Sequence, residues 1–283
     1  MNPGKRYAML IEVDRCIGCY SCELACCDEH SGISHLPLAA AQPHSGDSWI
    51  SVRQKETGSY PKVKVSYVPV PCLQCADAPC IKAAPDALYR REDGIVVIDP
   101  DKARGRRDIV KSCPYGAISW NEELGLAQKC TFCAHLLDAG AREPRCVEAC
   151  PTQTLVFGDP EDPSSPIAGR LAVVKTEKLP PGVASPVVLY SSLPKPYLAG
   201  EVAFGDRMAE PAVGVELVIE RNGSTIRCTT DAFGDFEFAP LEAKAEYTLS
   251  VSHPGYASHR RQVRTDADPH VGTIVLEHAA SGH

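Results

Sequence analysis

No stretch of the 283 residues approaches the roughly 20 apolar residues that a membrane-spanning helix requires, so no membrane span is expected. No export signal is expected either. Tyr7-Ala-Met-Leu-Ile-Glu-Val-Asp14 reads directly as a strand entering a cysteine-rich loop, and a cytoplasmic, soluble protein is expected. Positive charge is not in excess: the net charge is −7, and nothing in it suggests the nucleic-acid footprint that a basic face would give. Cysteine all but disappears after position 150, where only Cys228 remains. The other thirteen cysteines crowd between Cys16 and Cys150. With no export signal, that density points away from disulfides and toward metal.

The spacing says which metal chemistry. Cys16, Cys19, Cys22 and Cys26 form a C-x2-C-x2-C-x3-C run, and Cys72, Cys75 and Cys80 a second group. Cys113-Pro114 is a reduced third group, and Cys130, Cys133, Cys146 and Cys150-Pro151 make the fourth. The C-x2-C-x2-C-x3-C-P run is the signature of bacterial ferredoxins, whose fourth cysteine ligates the other cluster of a pair. Three thiolates on one loop hold three irons of a cube, and the remaining corner is capped from elsewhere in the chain. Related tails follow each fourth position: Pro85-Asp-Ala-Leu88, Pro114-Tyr-Gly-Ala-Ile118 and Pro151-Thr-Gln-Thr-Leu155. This repetition marks a duplicated unit.

Pairing group one with four and group two with three gives complete ligand sets for three [4Fe–4S] clusters. Cluster A takes Cys16, Cys19, Cys22 and Cys150. Cluster B takes Cys26, Cys130, Cys133 and Cys146. Cluster C takes Cys72, Cys75, Cys80 and Cys113. A fourth cluster would need three cysteines within 101–112 and one at position 84, where the sequence has none and Ala84. All four ligands of one site are gone while the other twelve remain, which favours the pairing itself. Structural zinc on Cys130/Cys133 and Cys146/Cys150 is the competing reading, and it leaves the first run unexplained. Cys27 reads as a small buried hydrophobe, and Cys228 as an inert core thiol.

The predicted architecture is α+β: a duplicated ferredoxin-like iron–sulfur domain (1–157), a proline-rich extended linker (158–196) and an all-β immunoglobulin/transthyretin-like sandwich (197–278). Within the first, 28–71 is a long insertion with predicted strands over 49–53 and 63–68, suited to contacting a partner. The run Val187–Tyr190 adds one edge strand. Lys102, Arg104, Arg106, Arg107 and Lys111 form a basic patch where the missing cluster's loop would lie; it reads either as a solvated loop or as a dock for an acidic surface. Seven short alternating strands are predicted from Ala199 to Leu276, with Asn222-Gly223 as a hairpin turn. The predicted sandwich offers no catalytic constellation.

The four-group layout over residues 6–157 resembles the iron–sulfur subunits of the DMSO reductase superfamily of molybdopterin enzymes. Further segments carry the likeness closer: the emptied fourth site, Arg91-Glu-Asp-Gly-Ile-Val-Val-Ile-Asp-Pro-Asp-Lys102, Trp120-Asn-Glu-Glu123 and Gln128-Lys-Cys-Thr-Phe-Cys-Ala-His-Leu-Leu137. With the C-terminal domain, they are similar to the small subunits of the pyrogallol transhydroxylase and resorcinol hydroxylase group. That resemblance implies a non-catalytic electron-transfer protein in a heterodimer, alongside a large subunit holding molybdenum on two pterin guanine dinucleotides and binding a phenol. A relay subunit of a respiratory reductase, a free-standing polyferredoxin and an interaction module whose clusters only stabilise the fold remain alternatives.

Overall fold

The computed structural model describes residues 4–44, 48–58, 60, 62–182, 184–266 and 269–279. It divides into two units, 1–54 with 66–193, and 55–65 with 194–283.

The run Ala8–Glu12, apolar up to its final glutamate, becomes β1, with every residue buried. It is the middle strand of three. β8 (Leu155–Gly158) pairs with it antiparallel, Ile11 opposite Leu155, and β9 (Val188–Ser191) pairs parallel, Ile11 opposite Tyr190. Successive side chains alternate faces. Met9 and Ile11 join the main core, while Ala8 and Leu10 pack on Ile167 of a helix described below. A strand covered on both faces is apolar along its covered length, as Ala8–Ile11 are here, and the buried Glu12 at its end is met by Arg170.

From β1 the chain passes a cysteine loop into α1 (Ser21–His30) and the paired strands β2 (Ile50–Thr57) and β3 (Lys64–Pro71), close to the two strands expected in the insertion. A second cysteine loop leads to α2 (Pro79–Ala83) and the hairpin β4 (Leu88–Arg90) with β5 (Val96–Ile98). Then follow α3 (Asp108–Lys111), the hairpin β6 (Ser119–Asn121) with β7 (Leu126–Gln128), α4 (Ala134–Asp138) and α5 (Arg145–Glu148). The three repeat tails each feed a strand. Their equivalent residues Leu88, Ile118 and Leu155 are all buried, which is why the repeat keeps an aliphatic residue there.

The segment expected as linker is corrected in part. Through residue 193 it belongs to the first unit. Pro166 opens a short helix, α6 (Pro166–Leu171), whose Ile167 is fully buried, and β9 supplies the expected edge strand with Tyr190 inaccessible. Proline at the first helical turn costs no hydrogen bond, so its abundance did not exclude structure.

The second unit holds two sheets. One has order β13 (Asp235–Phe238), β10 (Leu198–Phe204), β16 (His270–Leu276). The other has order β12 (Ser224–Thr229), β11 (Glu216–Arg221), β14 (Glu246–Ser252), β15 (His259–Arg264). Val202, Phe204, Phe236 and Ile274 from the first sheet share one core with Leu217, Ile219, Leu249 and Val251 from the second. All seven expected strands are present. Asn222 and Gly223 adopt φ of 48° and 78°, the left-handed pair that a two-residue hairpin turn requires.

Candidate iron–sulfur centres

Cys16 and Cys19 lie on the loop after β1, and Cys22 and Cys26 one turn apart on α1. The loop turns through left-handed conformations at Gly18 (φ 66°) and Tyr20 (φ 59°). A Cβ on Gly18 would stand 2.6 Å from the Tyr67 ring, so both the backbone and the space demand glycine. α1 packs against α5, which carries Cys146 and leads to Cys150. Burial raises the thiol pKa of both Cys16 and Cys22, and the charge of Cys150 adds to each. Burial raises Cys26 and Cys146 most, with the charges of Cys130 and Cys133 adding to both and that of Cys26 to Cys146. One face of α1 therefore hands successive cysteines to two different clusters of thiols.

The third set surrounds a cavity lined by Cys72, Cys75, Cys80 and Cys113, with Leu73, Val96 and Ile118 as apolar wall. Burial, followed by the charges of Cys72, Cys113 and Cys80, pushes the Cys75 thiol up to about 12. Burial likewise takes Cys22 and Cys130 to about 12 and Cys133 to about 11. Such thiols are poor thiolates alone, but a coordinated metal deprotonates its thiol outright. Backbone N–H groups face the sulfurs: Phe132 to Cys130 at 3.4 Å, Ala117 to Cys113 at 3.4 Å and Thr154 to Cys150 at 3.3 Å. Soft thiol donors, the apolar wall of the third set and inward N–H dipoles suit a cubane cluster.

The sets adjoin one another. Cys146 feels the charge of Cys22, and Cys130 that of Cys72. Gln74, fully buried, accepts from Val96 N–H and donates to the Cys130 carbonyl, both at 2.8 Å. It ties the loop of the third set to that of the second.

The stretch where a fourth set would stand is filled with carbon: Ala84, Ala103 and Ile109 are essentially inaccessible. Its basic residues are largely paired locally. Arg106 bridges Asp86 and Asp108 at 2.9 Å, Arg107 meets Glu122 and lies over Trp120, and Lys102 faces Asp99. Those pairings favour the solvated-loop reading of the patch. Cys27 is half-buried and its thiol is raised by burial. Cys228 sits on β12, partly packed against the core of the second unit, with its thiol pushed up to about 11 by burial.

Sequence reasoning missed several residues beside these sets. His30, buried against Trp49, places Nε2 3.7 Å from Cys133 Sγ; burial, then His135 and His35, lowers its pKa to about 3 and keeps it neutral. His30, His35 and His135 bring ring nitrogens within 4.8 Å of one another. The His35 and His135 rings stack at 3.5 Å and 10°, which sends their in-plane lone pairs along parallel lines rather than onto one ion. Glu29 holds this group, accepting from His135 Nε2 at 2.9 Å and Arg145 Nε at 2.8 Å. Lys129 is buried beside Cys130. Histidine and lysine carry no spacing signal, so only the fold reveals them.

These centres define an iron–sulfur electron-transfer protein. Residues 63–160 match the 4Fe-4S dicluster domain family, and residues 198–277 the carboxypeptidase regulatory-like domain family. The chain is 34% identical to the pyrogallol hydroxytransferase small subunit of Pelobacter acidigallici over 96% of its own length and 100% of that protein's. It is 38% identical to a tetrathionate reductase subunit of Salmonella typhimurium, covering 68% of this protein and 74% of that one. It is also 36% identical to a subunit of the anaerobic dimethyl sulfoxide reductase of Escherichia coli, covering 60% and 80%. This protein belongs to the iron–sulfur subunits of the DMSO-reductase-type molybdopterin oxidoreductases. No helix among the described residues is long and apolar enough to cross a membrane.

Proposed function

We propose that this protein is the electron-transfer subunit of a heterodimeric molybdopterin enzyme acting on hydroxylated aromatic compounds, of the pyrogallol transhydroxylase or resorcinol hydroxylase type. The observation that carries the reading is similarity to a pyrogallol hydroxytransferase small subunit over nearly the whole chain, a span that takes in both units. Three [4Fe–4S] clusters would be held by Cys16, Cys19, Cys22 and Cys150 (A), by Cys26, Cys130, Cys133 and Cys146 (B), and by Cys72, Cys75, Cys80 and Cys113 (C). The neighbouring pairs Cys22/Cys146 and Cys130/Cys72 support a relay in the order A, B, C.

Bound clusters supply one-electron storage. The chain supplies spacing, N–H donors to sulfur and the exclusion of water. At the A end Cys19 is exposed, and Ile17 and Leu24 beside it are each 63% exposed. An apolar rim around an exposed ligand suits cover by the large subunit, whose molybdenum on two pterin guanine dinucleotides would perform the chemistry.

Co-expression with its large subunit under anaerobic conditions tests this. The expected result is a one-to-one complex that moves hydroxyl groups between polyphenols, or oxidises resorcinol. Turnover of tetrathionate or dimethyl sulfoxide with no action on phenols would instead assign a respiratory relay, a reading supported by the 38% identity to a tetrathionate reductase subunit.

A further inference from the structure

Lysine is among the residues least often fully buried, because an ammonium taken out of water needs compensation. Lys129 is only 2% exposed. Its Nζ donates to the carbonyls of Val96 and Cys130, the latter at 3.0 Å, and among the described residues it forms no ion pair. Two neutral carbonyls do not balance a full charge. Lys129 also lines the cavity ringed by Cys72, Cys75, Cys80 and Cys113. Its charge works against the effect of burial on the Cys80 and Cys130 thiols.

We propose that Lys129 is the fixed counter-charge of the cluster held by Cys72, Cys75, Cys80 and Cys113, making that cluster easier to reduce. The inference rests on the ligand sets given under Proposed function. Each reduction adds one negative charge to the cluster, and a cation in the adjoining low-dielectric wall stabilises the reduced form more than the oxidised one. The step served is transfer of one electron from cluster B, which is oxidised, to cluster C, which is reduced. No bond forms or breaks, and no proton is required, because the compensating charge is already in place. The Cys130 carbonyl holds the ammonium at the junction of the two clusters.

The test is a redox titration of the intact complex followed by EPR, comparing wild type with Lys129→Gln and Lys129→Arg. Lys129→Gln should lower the reduced-to-oxidised ratio of cluster C at a fixed potential by about tenfold, or roughly 59 mV for a one-electron couple. Cluster A should be unmoved, and Lys129→Arg should stay near wild type. If Lys129→Gln assembles three clusters and cluster C does not move, or if all three move equally, the proposal is overturned. Should Lys129→Gln lose cluster C, Lys129→Arg decides: a retained potential supports the charge, and a lowered one overturns it. Failure of the ligand sets themselves would appear separately, as a wild-type complex without three cluster signals.

Discussion

Thr154 gives its backbone N–H to the Sγ of Cys150, four residues back, at 3.3 Å. Ala117 does the same for Cys113 at 3.4 Å. Gly116 and Gln153, each one residue earlier, both turn through left-handed φ (67° and 53°) to aim these bonds. In the third tail alanine replaces the cysteine, and Leu88 N–H goes to the Ala84 carbonyl at 3.0 Å instead. That tail has neither a sulfur to accept the bond nor a left-handed residue among 85–88.

Cys150 carries a second donor. The Thr152 hydroxyl lies 3.7 Å from its Sγ. Burial raises the Cys150 thiol, but Thr152 and the backbone donors outweigh it and bring the pKa below its ordinary value. Hydrogen bonds to sulfur raise a cluster's potential. Thr152→Val should therefore shift cluster A negative by on the order of tens of millivolts, the equivalent of one weak hydrogen bond, with B and C unchanged in the same titration. A shift in B or C alone would contradict the assignment of Cys150 to cluster A.

Cys80→Ala should remove the EPR signal of one cluster and leave two. Cys80 senses the charges of Cys72 and Cys113 and lines their cavity. Perturbation of the cluster assigned to Cys26 instead would show the pairing of groups to be wrong.

Arg91 joins Asp93 (2.9 Å) to Asp138 of α4 (2.7 Å) while only 9% of its side chain is exposed. The Arg91 guanidinium holds the Asp138 carboxyl below its ordinary value. Since the folded carboxyl titrates below the unfolded one, its contribution is complete above about pH 4 and fades as pH falls through the folded value. Asp138→Asn should cost about 0.5–1 kcal/mol near neutrality, as a partly exposed pair. Unfolding followed by circular dichroism should show that deficit shrinking below about pH 4; a deficit constant through that range would refute the linkage.

Much of this molecule was legible in sequence because thiolate chemistry fixes spacing. The spacing of Cys72, Cys75 and Cys80 put them on one loop, and pairing group two with group three brought Cys113 to them; all four line one cavity. Alternation likewise marked the strands between Ala199 and Leu276, β13 and β14 among them, since one face of each strand must be apolar. The 158–193 segment was harder. The helix α6 is only six residues long and opens on a proline, so the burial of its Ile167 against Ala8 and Leu10 depends on contacts distant in sequence. Lys129 and His30 were invisible for another reason: nothing in a lone sequence says that a basic residue is buried.

Iron and molybdenum per complex, measured on the anaerobically purified heterodimer, test the central claim most directly. Three cubane clusters predict about twelve iron atoms to one molybdenum, four iron in each cluster. A ratio near eight would mean that one proposed ligand set does not hold a cluster, and iron with neither molybdenum nor tungsten would contradict the enzyme partnership itself.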